Sequence, residues 1–327
     1  MRLTKLQKQL CNALQKGLPI CRRPFAEIAK ALGSNETEVL QQATQLMEMG
    51  IIRRFSALIN YRALGMTSTL VAAHVPEEDL QRIAEVINSL EYVSHNYSRN
   101  HYYNLWFTLQ AKTSADIKVT LTELSGRFDI DFHSLPVKQT FKLDVRFDAE
   151  GTILNGFPNP CLPQGKTHRP ASFLLNENQK KILSKLQDKL ELTTEPFSLL
   201  RSQDLSEEDI LRTIKELIDK GVIRRIAAVV DHRKLGFVAN VLFASEVPQD
   251  KIIQAGQRLA RFGIVSHCYE RETFENWPYN LFAMMHAKSM GRIQHVINKF
   301  VEAEKIESFQ LLPTVTELKK QSVRYKF

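Results

Sequence analysis

The sequence predicts an α+β protein built as a tandem duplication, each half a winged helix-turn-helix domain followed by a ferredoxin-like βαββαβ domain. Three observations carry this: an internal repeat, three helices and a strand opening each copy, and a strand–helix–strand–strand–helix–strand order after them. Gly50-Ile51-Ile52-Arg53-Arg54 returns as Gly221-Val222-Ile223-Arg224-Arg225, and an Arg-x-Leu-Gly follows each, at 62–65 and 233–236. Val93-Ser94-His95-Asn96-Tyr97-Ser98-Arg99 returns as Val265-Ser266-His267-Cys268-Tyr269-Glu270-Arg271. Tyr103-Asn104-Leu105 aligns with Tyr279-Asn280-Leu281, and Val145-Arg146-Phe147 with Val323-Arg324-Tyr325. Matches in the same order along both halves establish the duplication.

In the first copy, Leu3, Leu6, Leu10 and Leu14 lie at helical spacing and predict a helix over 3–15. A second helix covers 25–32 and stops at Gly33. Ser34 then caps a third, with Glu36 and Glu38 in its first turns, which ends at Gly50. Residues 51–58 read as the strand of a wing, so the helix-turn-helix domain takes 1–65. Strands over 68–75, 92–101, 104–111 and 141–147, with helices over 77–90 and 114–127, make the αβ domain of 66–148. A third of the chain's prolines fall between the copies, so 149–175 read as a linker. The second helix-turn-helix domain takes 176–236 and the second αβ domain 237–327. There the strands fall at 239–247, 263–272, 279–287 and 317–325, and the helices at 249–261 and 289–302. A long linker lets the halves pack as a pseudo-dimer within one chain; association into a homodimer is left open.

Composition excludes several classes. No apolar stretch approaches the ~18 residues of a membrane span, and the N-terminus lacks the apolar centre of a signal peptide. The cytoplasm is the expected location. Cys11, Cys21, Cys161 and Cys268 lie far apart with no Cys-x-x-Cys pair, which argues against a disulfide framework and against a cysteine-held metal. The formal charge of +8 favours a polyanionic partner: nucleic acid, anionic lipid or a multiply carboxylated small molecule.

The candidate recognition helices argue against nucleic acid. The first, from Ser34 to Gln45, has no basic residue and carries Glu36 and Glu38 at the end that would meet the groove. The second opens with Glu207-Glu208-Asp209, which suits a helix dipole and repels phosphate. Arg53-Arg54 and Arg224-Arg225 fit three readings: phosphate contacts in a regulator, arginines turned to carboxylates between the layers, or solvated side chains.

On a strand, alternate residues share a face, so Val93, His95, Tyr97, Arg99 and His101 are expected to project together, as are Val265, His267, Tyr269 and Arg271. A His-x-Tyr-x-Arg row sets a group that titrates near neutrality, a phenol and a fixed cation in series. That suits an anionic substrate with a proton to move. The blander alternative is a solvated sheet face or a packing row. Trp106, Trp277, Tyr279, Phe282 and His286 lie on or beside neighbouring strands, where large aromatics next to His and Arg suit a flat anionic macrocycle or simply fill a core.

The winged helix followed by βαββαβ resembles the Lrp/AsnC regulators, over essentially the whole of each half. The stretch from Ser94 through His95, Tyr97, Arg99 and His101 to Trp106-Phe107 is similar to one subunit type of the siroheme decarboxylases. The stretch from Ser266 through His267, Tyr269 and Arg271 to Trp277-Pro278-Tyr279-Asn280-Leu281-Phe282 is similar to the partner subunit. The resemblance implies loss of carbon dioxide from two acetate side chains of siroheme, giving 12,18-didecarboxysiroheme, an intermediate toward heme d1 or heme. It implies siroheme, with eight carboxylates, as the polyanion, and no cofactor beyond the substrate's own iron. On this reading His95, His101 and His267 are candidate acids or iron-facing groups, with Tyr97 and Tyr269 assisting. Arg99, Arg271, Arg53, Arg54, Arg224 and Arg225 hold carboxylates, and Trp106, Trp277, Tyr279 and His286 line the pocket. The copies are unequal: Thr273 stands where the first has His101, and four residues are inserted before Tyr279. The aromatic insert and His286 favour the second half as the active one. Two rival functions remain at this level, a tetrapyrrole- or amino-acid-sensing regulator and a non-catalytic tetrapyrrole carrier.

Overall fold

The computed structural model describes residues 3–150, 173–203 and 205–327; most of the expected linker lies outside them. The first helix-turn-helix domain consists of α1 (Lys5–Lys16), α2 (Pro24–Leu32) and α3 (Glu36–Glu48), followed by β1 (Ile52–Ile59). A Thr4 capping box starts α1, and Gly33, in the left-handed region at φ 66°, ends α2. The first αβ domain follows as β2 (Thr67–Ala73), α4 (Leu80–Ser89), β3 (Val93–Arg99), β4 (Leu105–Ala111), α5 (Ser114–Phe128) and β5 (Phe132–Leu143). The second copy repeats the order: α6 (Glu177–Leu186), α7 (Glu207–Asp219), β6 (Ile223–Val230), β7 (Ala239–Ser245), α8 (Ile252–Arg261), β8 (Val265–Arg271), β9 (Leu281–Ala287), α9 (Met290–Glu304) and β10 (Phe309–Lys320). Where the first copy has α2, the second has only a 3-10 turn at Pro196–Leu200.

The strand expected to edge a wing pairs instead with its counterpart. β1 and β6 form a two-stranded antiparallel ribbon, with Phe55 opposite Ala228 and Ala57 opposite Ile226. Each copy supplies only half of this ribbon, so the two helix-turn-helix domains share one hydrophobic core, from Leu10 and Phe25 to Phe197 and Ile214.

The αβ domains fuse more completely. Each has the ferredoxin-like strand order, β3-β4-β2-β5 and β8-β9-β7-β10, and the two sheets close into one eight-stranded barrel. Closure depends on the last strand of each copy, which the sequence reading placed too late, at 141–147 and 317–325. These strands run over Phe132–Leu143 and Phe309–Lys320. The first part of β5 pairs with β2 up to Pro136, and from Val137 onward it pairs with β8 of the other copy. β10 likewise pairs with β7 up to Pro313 and with β3 from Thr314. A proline withholds one ladder hydrogen bond and tolerates a bend, so it fits the point where a strand changes partner. After the switch Phe141 packs on α8, its ring filling the space a Cβ on Gly256 would take.

Three layers of side chains result. The outer faces of the barrel pack under α4 and α5 in one half and α8 and α9 in the other. The interior holds Trp106, Trp277, Phe282, Leu135 and Leu312. Among the described residues no helix is long and apolar enough to cross a membrane.

Candidate active site

Both His-x-Tyr-x-Arg rows face the barrel interior. Asn96 and Ser98 alternate with the first row and are buried on the helix side, whereas Ser94 sits in the bulge before His95 and turns its hydroxyl to the interior face. Val93 and Val265 do not belong to the rows, contrary to the sequence reading. A register shift separates each from the following histidine, and both sit in the helix-facing cores. A bulge adds one residue and so flips the face of everything before it.

The arginines lie deepest. Arg99 is 4% and Arg271 8% exposed. Each crosses the seam to the other copy: Arg99 Nη1 donates to Leu312 O at 2.7 Å, and Arg271 Nη1 to Leu135 O at 2.8 Å. The Nε of each is buried without a hydrogen-bond partner among the described residues. Burial lowers both to about 10, so both stay cationic at neutral pH. Each guanidinium rests on the tyrosine of its own row, at 5.2 Å for Tyr97 and 4.9 Å for Tyr269. Burial raises both phenols to about 12, which keeps them as donors.

The histidines stand at the end of each row nearer the helix-turn-helix layer. His95 Nδ1 lies 2.8 Å from Ser94 Oγ, which in turn lies 2.8 Å from Thr108 Oγ1. His267 Nδ1 lies 2.9 Å from Ser266 Oγ, and that hydroxyl donates to Met284 O at 3.2 Å. A hydroxyl has one proton, so Ser266 must accept from His267, and Nε2 of His267 carries the free lone pair. For His95 two hydroxyls share the chain and either tautomer fits. Burial holds His95 down to about 4. Burial, and then His95 and Arg224 nearby, takes His267 down to about 3. Both are neutral imidazoles at pH 7.

Around this centre the copies interleave. His286 of β9 lies within reach of both rows: its ring is 5.2 Å from His232 and 5.3 Å from Phe147, and its surroundings include His267 and Arg99. Its imidazole is held well below its ordinary value by burial first, then by His232 and His267. Lys320, paired with His95 across β10 and β3, donates to His232 Nδ1 at 3.1 Å. Arg53 bonds Asp231 at 2.7 Å, and Arg54 bonds Ser322 at 2.6 Å. Around the second row stand Tyr61, Arg62, Arg224 and Tyr325, all within electrostatic reach of Tyr269 or Arg224. Arg224 is exposed, with Tyr269, Tyr61, Arg62 and Tyr325 the groups that act on it. Arg225 instead joins Arg146 on the buried Asp144, at 3.1 Å.

Three predicted residues, His101, Trp277 and Tyr279, lie beyond the rows, while Trp106 stands opposite Tyr97 across β3 and β4 and faces the interior with it. β3 ends at Arg99, so His101 falls beyond the row, where its Nδ1 accepts from the Tyr103 amide at 3.0 Å and its ring meets Trp277 edge-on at 5.4 Å. Trp106, Trp277 and Tyr279 cluster there with Tyr103, Phe274 and Phe282 and plug the deep end of the barrel. Sequence reasoning missed His232, Tyr61, Arg62, Lys320 and Tyr325. A signal for two of them existed: Tyr61 and His232 occupy matched positions directly before each Arg-x-Leu-Gly.

The acids that open the candidate recognition helices are engaged within the protein. Glu36 pairs with Arg23, while Glu207 is buried and meets Arg201 and, across the copies, Arg22.

A family model for an AsnC-like ligand binding domain matches residues 63–142 and 234–319, and one for a siroheme decarboxylase NirDL-like helix-turn-helix domain matches 7–53. A siroheme decarboxylase of Hydrogenobacter thermophilus is 33% identical, over 97% of this chain and 94% of its own length. The chain belongs to the siroheme decarboxylase family. The NirD subunit of the Pseudomonas aeruginosa siroheme decarboxylase is 38% identical over 45% of this chain and 97% of its own length, which is the pattern of a fused pair of subunits. The crystal structure of a siroheme decarboxylase NirDL in complex with an iron-uroporphyrin III analogue matches at TM-score 0.72 and 30% identity, covering 99% of this chain and 95% of that one. A decarboxylase frame of this family therefore carries both His-x-Tyr-x-Arg rows, and the chain is an enzyme by kinship.

Proposed function

We propose that the chain acts as a carbon–carbon lyase on siroheme, releasing carbon dioxide from two acetate side chains to give 12,18-didecarboxysiroheme. The observation that carries this is the pair of buried arginines: each keeps one guanidinium N–H without a partner inside the barrel, with Arg224 and Arg62 near Tyr269 and Arg53 near Lys320. A buried cation without an anion is costly, and a polycarboxylate entering from the helix-turn-helix side relieves that cost. Arg99 and Arg271 hold carboxylates from below, with Tyr97 and Tyr269 donating beside them. Arg224, Arg53 and Arg62 receive those nearer the opening.

Breaking the bond to a carboxylate leaves an electron pair on the side-chain carbon, which the macrocycle delocalises until a proton arrives. The histidines supply that proton. Burial keeps them neutral, and substrate carboxylates beside them favour the imidazolium, raising its pKa toward the working range. No cofactor is invoked beyond the iron of the substrate. Among the described residues no cluster of His, Cys, Asp and Glu is arranged to hold a metal. The free thiols Cys11, Cys21 and Cys268 accord with the cytoplasm.

Anaerobic incubation with siroheme and mass spectrometry of the extracted tetrapyrrole test the reading. Loss of two carbon dioxide units is expected. Unchanged mass with a shifted absorption spectrum would make the protein a carrier. Salt-sensitive retardation of duplex DNA, with no mass change, would make it a regulator.

A further inference from the structure

We infer that His232 and Lys320 form a proton relay serving the site on the first His-x-Tyr-x-Arg row, and that the second row has no equivalent. The inference rests on the decarboxylase reading for its chemistry but on geometry for its parts. His232 follows β6 and is 1% exposed. Its Nδ1 accepts from Lys320 Nζ at 3.1 Å, because an ammonium only donates. The imidazole proton must therefore sit on Nε2. That N–H is buried, has no partner among the described residues, and belongs to a ring stacked on Phe147 and edge-on to His286. A buried donor with nothing to donate to is rare and expensive in a folded protein. One that lies beside the substrate-facing rows is held ready for an acceptor brought by a ligand.

The step balances. Loss of carbon dioxide leaves an electron pair on the acetate methylene carbon. His232 Nε2–H gives its proton to that carbon, making the methyl group, while Lys320 Nζ passes a proton to Nδ1. The imidazole ends neutral in its other tautomer, and Lys320 ends as an amine that regains a proton from water. Burial lowers the pKa of Lys320, which eases its part. The charged groups facing Lys320 are Glu317 at 3.5 Å, Asp231 and Arg53, with Arg233 beyond Glu317 and the neutral His95 on the paired strand. His232 is the catalytic residue of the pair and Lys320 its positioning and supplying partner. The counterparts in the other copy are Tyr61 and, by strand position, Leu143, which carry no such relay. Relayed proton delivery is thereby assigned to the first row, while His267 serves the second row without a relay, although His232, Lys320 and His286 all come from the second copy.

The relay is read in two ways. Nitrogen-15 spectra of histidine-labelled protein, assigned with His232→Gln, report the tautomer whatever the reaction: Nε2–H at pH 7 is expected, and Nδ1–H or an imidazolium overturns the pair. In turnover with siroheme, His232→Gln is expected to bind the tetrapyrrole within about threefold of the parent and to release carbon dioxide at least 100-fold more slowly. Lys320→Arg keeps a donor to Nδ1 but cannot release its proton near neutrality, so it should be as slow as Lys320→Met. In the parent the rate should fall as pH rises through the lowered Lys320 value. Full activity of Lys320→Arg overturns the relay and leaves a merely structural contact. If the unaltered protein leaves siroheme unchanged, the decarboxylase reading fails and takes the chemical step with it, while the tautomer still decides whether the pair is built as described.

Discussion

Replacing Arg271 by methionine separates binding from folding, because the two effects have different sizes. Arg271 is 8% exposed, donates to Leu135 O at 2.8 Å, and has no Nε partner among the described residues. Burial lowers it from 12.5 to about 10. At pH 7, below both values, the guanidinium is charged in the folded and unfolded chain alike, so the whole unfavourable difference, on the order of 3 kcal/mol, is present. Methionine removes that cost. Against it stand the orphaned Leu135 carbonyl, about 1–3 kcal/mol, and a small packing loss. The net lies within about 2 kcal/mol of zero, so the melting temperature should move by no more than about 4–8 °C in either direction. Binding is different. A carboxylate that loses a buried charge-assisted partner loses about 2–4 kcal/mol, or roughly 30- to 1000-fold in Kd. Absorbance titration with iron uroporphyrin III, alongside a thermal melt, gives both numbers. Arg271→Lys keeps the charge without the fork and should fall between. An unchanged Kd together with a melting temperature lowered by more than about 10 °C would show Arg271 to be a structural residue and refute the carboxylate assignment.

Three further outcomes follow from the geometry. Ser266→Ala releases His267 Nδ1 from its single acceptor and should slow turnover by about tenfold with tetrapyrrole affinity intact; Ser94→Ala should do less, and the reverse order would count against the tautomer assigned to His267. His95 and His232 are both held to about 4 in the folded protein against an ordinary 6.5, so the unfolded chain takes up protons first as pH falls. Stability is thus fully present above about pH 6.5 and lost between there and pH 4, and melts of the empty protein across that range should show a decline that tetrapyrrole binding reduces. Asp144→Leu leaves Arg225 and Arg146 without their shared carboxylate and should destabilise by about 3–5 kcal/mol, measured by denaturant unfolding, whereas a near-silent substitution would mean that the cluster is already solvated.

Much of this protein was legible in its sequence because the legible features are local or repeated. The duplication follows from ordered matches, and the helices follow from apolar spacing and caps such as Thr4 and Gly33. Alternation placed His95, Tyr97 and Arg99 on one face, and His267, Tyr269 and Arg271 on another, as the barrel has them. The acids at Glu36 and Glu207 already spoke against phosphate, and the structure shows them tied to arginines.

Tertiary structure decided how those rows are completed. Period-two reasoning holds along one uninterrupted strand, so the bulges after Val93 and Val265 reversed those two residues, and the end of β3 at Arg99 released His101 to the aromatic plug. β5 and β10 leave their own sheets at Pro136 and Pro313 and finish in the other copy, which no pattern within one half discloses. That exchange sets Lys320 beside His95, and the contact between the two layers brings His232 and His286 to the same place. Side chains far apart in sequence meet only when a closed barrel fixes which strands are neighbours. The sequence therefore determined which residues form each row, and the closure of the barrel determined which of them stand together.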